Sequence, residues 1–153
     1  MAAALGAARA TLTDLEECLP LMRQNAAAFA IESPGVLVEV LALPWGEALP
    51  TSVHAPPELI LVADCLLPGA THLFEPLCHT ILALLDAAAP NARALLAYEE
   101  RMDCSAFFEL LERANLRVER LDQAVLHPVY SAPEIQIHRI TKRNVKEPLR
   151  QRK

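Results

Sequence analysis

The 153-residue chain has four glycines, and no two of them form a Gly-x-Gly pair. Neither a phosphate-cradling P-loop nor a Gly-x-Gly-x-x-Gly dinucleotide turn is therefore present. Cysteine is also sparse. Cys18, Cys65, Cys78 and Cys104 are widely separated and include no Cys-x-x-Cys pair. They read as small apolar fillers in a reducing compartment, cytosol or nucleus, rather than a zinc site or a disulfide frame. The five histidines (His54, His72, His79, His127, His138) show no metal-ligand spacing, so no metal is expected, although His72 and His79 could share a helix face. No serine sits in a nucleophile elbow. No apolar run approaches the roughly 20 residues of a membrane helix. Met1 to Ala10 lacks the basic start and long apolar centre of a signal peptide. No membrane partner is expected.

Lysine is missing from residues 1–138, where seven Arg face 18 acids for a net charge of −11. Residues 139–153 reverse the sign, with seven basic residues against Glu147 for a net charge of +6. That tail reads either as a docking or nuclear-targeting segment or as a solvated terminus. It holds no aromatic residue to stack on bases, and the body is acidic, so nucleic acid is not the expected partner. What the chain does have is apolar residues, 53% against 22% charged, which is the composition of a folded globular domain.

The pattern alternates strands with helices. Arg9 to Thr13 reads as a strand ending on Asp14, and Leu15, Cys18, Leu19, Met22, Ala26 and Phe29 then recur at helical spacing. Thr13-x-x-Glu16 and Asp14-x-x-Glu17 resemble capping boxes. Pro20 sets the start of regular helix near Leu19. Ser33-Pro34-Gly35 is a turn, and Val36 to Leu43 is a β-branched strand broken by Pro44-Trp45-Gly46. Residues 58–64 form a strand, Leu73 to Leu85 an amphipathic helix, and Ala92 to Tyr98 a strand. Ala106 to Ala114 is a helix, and Leu116 to Leu121 and Glu134 to Thr141 are strands, separated by a loop that contains His127 and Tyr130. This order predicts an α/β fold with a largely parallel sheet and an antiparallel C-terminal hairpin at one edge.

Leu59 to Ala63 is a short, wholly apolar run that ends abruptly on Asp64. Such a run marks a strand buried on both faces, and ligands of open parallel sheets bind at the carboxyl ends of strands. Asp64 therefore either does chemistry there or caps the next turn. Ala63 leaves room beside it for a flat ligand. Asp14 can accept both hydroxyls of a ribose or cap the following helix, and the two roles are compatible. Trp45, beside Gly46, can cover a purine or anchor a loop. Tyr98, Glu99 and Arg101 close the next strand, where Glu99 and Arg101 orient a substrate amine or form a solvated ion pair with each other.

Taken in order, TLTDL (11–15), LPLMRQN (19–25), LPWGE (43–47), PPELILVADCLL (56–67), FEPLCHTILALL (74–85), AYEER (97–101), FFELL (107–111) and IQIHRI (135–140) resemble the seven-strand S-adenosylmethionine-dependent protein-lysine methyltransferases. The branch that contains the valosin-containing-protein lysine methyltransferase is the most similar. The resemblance implies a Rossmann-like class I methyltransferase sheet over residues 1–141, with a basic tail at 142–153. It implies S-adenosyl-L-methionine as cofactor and a protein substrate, with chaperones and ATPases among the family's targets. A cytoplasmic monomer, also entering the nucleus, is expected.

The resemblance implies that Asp14 holds the ribose, that Trp45 lies near the adenine and that Ala63 lines the cofactor pocket. Asp64 opens the family's Asp-x-x-Tyr motif at the transfer site, with Glu99 as the second catalytic carboxylate. Tyr98 and Arg101 border the substrate entrance. Two departures stand out. Leu67 replaces the motif's aromatic residue, and the family's first strand and Gly-rich loop are expected to be missing ahead of TLTDL. These departures motivate an alternative, a non-catalytic binding module on a degraded methyltransferase fold. A fragment of a nucleotide-binding dehydrogenase fits less well, because the terminal hairpin argues against it.

Overall fold

A computed structural model describes residues 6–33, 35–51, 56–129 and 132–143. Pro34 of the expected turn, His54, Tyr130 and the tail beyond Arg143 lie outside the described residues. The chain divides into two compact units, Met1–Val53 and His54–Lys153.

In the first unit, β1 (Arg9–Asp14) and β2 (Leu37–Ala42) pair in parallel, with Asp14 opposite Ala42. The crossover is α1 (Leu19–Glu32), which carries Pro20 in its first turn, where a missing N–H costs nothing. Cys18, Leu19, Met22, Ala26 and Phe29 face inward as the spacing predicts, whereas Leu15 is exposed. Neither expected capping box forms. Asp14 stays in the strand, its Oδ1 accepts the Leu15 N–H at 2.7 Å, and the next turn, Glu16–Cys18, has no side-chain cap.

The second unit is a four-stranded sheet in the order β3-β4-β6-β5: β3 is Leu59–Ala63, β4 Arg93–Glu99, β5 Leu116–Arg120 and β6 Ile135–Lys142. β3 and β4 are parallel, and β6 is antiparallel to both β4 and β5. The expected hairpin is therefore present, but of its two strands only β5 lies at the sheet edge, because β6 is inserted beside β4. Alternation sends Ile60, Val62, Ala94, Leu96, His138 and Ile140 to one face. There α2 (Phe74–Asp86) and α3 (Ser105–Arg113) contribute buried Leu77, Ile81, Leu85, Phe107 and Leu111. Phe74 and Phe107 meet edge to face at 5.5 Å. Burying each such side chain is worth about 1.5–3 kcal/mol, so this face is the core.

The other face departs from the expectation of a strand buried on both sides. Leu59 and Leu61 of β3 are 41% and 54% exposed. Thus β3 alternates like a strand covered on one side, although its sequence is apolar throughout. Among the described residues no helix is long and apolar enough to cross a membrane.

Candidate functional site

The carboxyl ends of β3 and β4 lie side by side, since Ala63 is opposite Ala97 and the Asp64 N–H extends the ladder to the Ala97 carbonyl at 2.7 Å. Asp64 then turns the chain with φ 51°, in the left-handed region that only short polar side chains and glycine enter readily. This conformation presents its carboxylate to Arg101, whose Nη1 lies 3.2 Å from Asp64 Oδ2. The Arg101 Nε–H donates to Glu99 Oε2 at 2.7 Å, and Nη2 touches the same oxygen. One guanidinium thus bridges two carboxylates from adjacent strand ends. All three side chains are more than a third exposed, so the pairing adds little stability. Its consequence is geometric: Asp64 and Glu99 are held on one cation. The bond to Glu99, followed by the Asp64 charge, raises the Arg101 pKa further above its usual value.

Tyr98 turns the opposite way. It is buried on the helix-covered face, and its hydroxyl donates to Gln136 Oε1 at 3.2 Å. Burial is the main cause that pushes the phenol up and keeps it protonated. His138 Nε2 also lies 3.1 Å from Gln136 Oε1, and the His138 ring packs 4.6 Å from Phe108. Burial, then the Arg120 charge, holds the imidazole below the usual histidine range. Nε2–H is therefore the donor, and His138 Nδ1 is buried without a partner. Gln136 Nε2 donates outward to Glu100 Oε2 at 2.6 Å. This network was not assigned from sequence. The available signal was the alternation in IQIHRI, which places Gln136 and His138 on the same inward face as Ile140, where a polar residue needs partners.

In the first unit Asp14 ends β1, and the Leu43 N–H continues that end of the sheet by bonding the Asp14 carbonyl at 2.9 Å. Trp45 follows in a turn closed by the Glu47 N–H on the Pro44 carbonyl at 3.2 Å, with Gly46 at φ 87°. Asp14 and the Trp45 turn therefore share the carboxyl end of the β1-β2 pair. Cys18 is a further neighbour that the sequence did not flag. Burial, then its hydrogen bond to Asp14, raises the thiol pKa, so the thiol stays a donor to that carboxylate. The structure thus groups Asp14 with Trp45, and Ala63 with Asp64, Glu99 and Arg101. Tyr98 belongs to the interior.

A family model described as lysine methyltransferase matches residues 1–114. No curated protein matches the sequence. A TehB-like SAM-dependent methyltransferase from Corynebacterium glutamicum is similar at 18% identity and TM-score 0.57, over 87% of this chain and 67% of that one. The mitomycin 7-O-methyltransferase MmcR is similar at 17% identity and TM-score 0.59, over 88% of this chain and 42% of that one. The O-methyltransferase NcsB1 from neocarzinostatin biosynthesis, in complex with S-adenosyl-L-homocysteine, is similar at 13% identity and TM-score 0.56, over 86% of this chain and 41% of that one. This chain therefore spans less than half the length of either O-methyltransferase. At these identities the likeness establishes the fold, a Rossmann-like class I methyltransferase sheet.

Proposed function

Because the chain belongs to the lysine methyltransferase family, we propose that it serves S-adenosylmethionine-dependent methyl transfer to a lysine side chain of a protein. The observation that carries this reading is the Asp64–Arg101–Glu99 bridge at the carboxyl ends of β3 and β4. Open α/β sheets bind their ligands at such strand ends. Two carboxylates already arranged around one cation suit an amine that arrives as an ammonium ion. Asp64 and Glu99 hold the amine, which sheds a proton to solvent before its lone pair takes the methyl group, and Arg101 keeps the two acids in register. Positioning rather than an activated nucleophile supplies most of the rate. When bound, the cofactor supplies a methyl group already activated as a sulfonium.

The residues fit that cofactor. Asp14 is an acceptor-only carboxylate at a strand end, suited to two hydroxyl donors, and Trp45 provides an aromatic face beside a glycine with a left-handed backbone. The substrate in this reading is a protein of the chaperone or ATPase type, met by a monomer in the cytoplasm, as for the branch the sequence resembles. A second reading, a non-catalytic module, is favoured by Leu67, which is 43% exposed where the motif has an aromatic hydroxyl.

Calorimetric titration with S-adenosylhomocysteine tests the cofactor reading. Micromolar binding, about −8 kcal/mol, is expected, and Asp14→Ala should weaken it at least about tenfold, or 1.4 kcal/mol. A folded chain that gives no heat overturns the reading. Transfer of labelled methyl to extract proteins, followed by acid hydrolysis, tests the acceptor. Methyl-lysine is expected, and binding without any transfer would favour the non-catalytic module.

A further inference from the structure

Glu100 is an exposed carboxylate anchored from beneath, an arrangement that a merely solvated residue does not need. Its backbone N–H bonds the Glu134 carbonyl at 3.0 Å, prolonging the pairing of β4 with β6. Its side chain is held by Gln136 Nε2 at 2.6 Å. Gln136 itself is only 6% exposed and stands opposite Tyr98 in the sheet. Its amide has one workable orientation. Oε1 accepts from the Tyr98 hydroxyl and from His138 Nε2–H, so the NH₂ group must face outward. A flipped amide would set its oxygen against the acceptor-only Glu100 carboxylate, whereas the hydroxyl and the neutral imidazole can each donate or accept, so Glu100 decides the orientation. The buried amide thus bonds two interior rings at one end and holds the surface carboxylate at the other.

Glu100 stands at the carboxyl end of β4, where Glu99 is already engaged with Arg101. A preorganised carboxylate spends less ordering entropy when it meets a cation than a freely rotating one does. We propose that Glu100 is a specificity-determining contact for a basic residue of the protein substrate, and that Gln136 is the positioning residue that presents it. This inference rests on the methyltransferase reading for the identity of the substrate, but the contact itself is testable alone.

The experiment is fluorescence anisotropy of the full 153-residue chain with a fluorescein-labelled (Lys-Gly)₄ peptide at low salt, beside a (Gln-Gly)₄ control. Wild type is expected to bind only the lysine peptide. Glu100→Gln should weaken binding at least about fivefold, while Glu134→Gln, the same charge change at a neighbouring position, should weaken it less than about twofold, in line with screened exposed charges. Gln136→Leu should lose the same factor as Glu100→Gln, and the double variant should lose no more, because both changes remove one presented carboxylate. Should Gln136→Leu not fold, Gln136→Met takes its place in the cycle. Equal effects of the two Glu variants, additive losses in the double variant, or no binding by wild type overturn the proposal. Titration with S-adenosylhomocysteine on the same samples separates the two readings. Glu100-dependent peptide binding without cofactor binding rejects the methyltransferase assignment and leaves the cation contact standing. Cofactor binding with indifference to Glu100 does the reverse.

Discussion

Two residues show how a side chain's meaning changes with its backbone and its surroundings. Asp64 has φ 51°, a conformation that costs most L-residues about 1–2 kcal/mol and short polar ones less. Asp64→Asn is therefore expected to keep the denaturation midpoint in urea, whereas Asp64→Val should lose about 1–2 kcal/mol. If the proposed function holds, methyl transfer to lysine should fall in both. His138 is held neutral by burial, so its folded pKa is lower than its unfolded value. Stability from this group is complete above the ordinary histidine range, near about pH 6.5, and is lost as the pH falls below it. Tyr98, Gln136 and Phe108 are the groups against the ring, with Arg120 opposite it on β5. Melting temperature should fall from pH 7 to pH 5, and His138→Phe should make that slope shallower. An unchanged slope would mean that other groups carry the acid sensitivity.

At the scale of elements, the helix-covered face of the second unit carries the stability. Phe107 is fully buried between the sheet and Phe74. Phe107→Ala is expected to cost about 3–5 kcal/mol, read from urea unfolding. The open face of β3 behaves differently. Leu61 is more than half exposed on an edge strand that bears no outward charge. Leu61→Lys should change unfolding free energy by less than about 0.5 kcal/mol while lowering aggregation measured by light scattering, since edge charges deter strand pairing. Element positions were largely legible in the sequence because each apolar run had one period: α2, α3, β4 and β6 begin and end within a residue of the pattern. The capping boxes were not, because a capping motif says nothing of whether its first residue remains in a strand, as Asp14 does.

At the scale of the whole molecule, charge is the lever. The net charge of −5 and a sequence pI near 5.5 predict a solubility minimum close to that pH. Light scattering across pH 4.5 to 8 should show it, and it coincides with the range where His138 costs stability. The sequence by itself determined the α/β class, the strand ends that carry Asp14, Asp64 and Glu99, and membership in the lysine methyltransferase family, because periodicity and ordered motifs are local properties of the chain. Only the tertiary structure decided that Arg101 bridges Asp64 and Glu99, that Tyr98 faces the interior, that β6 lies beside β4, and that Gln136 turns an amide toward Glu100. Those facts depend on register between strands far apart in the chain. A one-residue shift would send every one of those side chains to the opposite face.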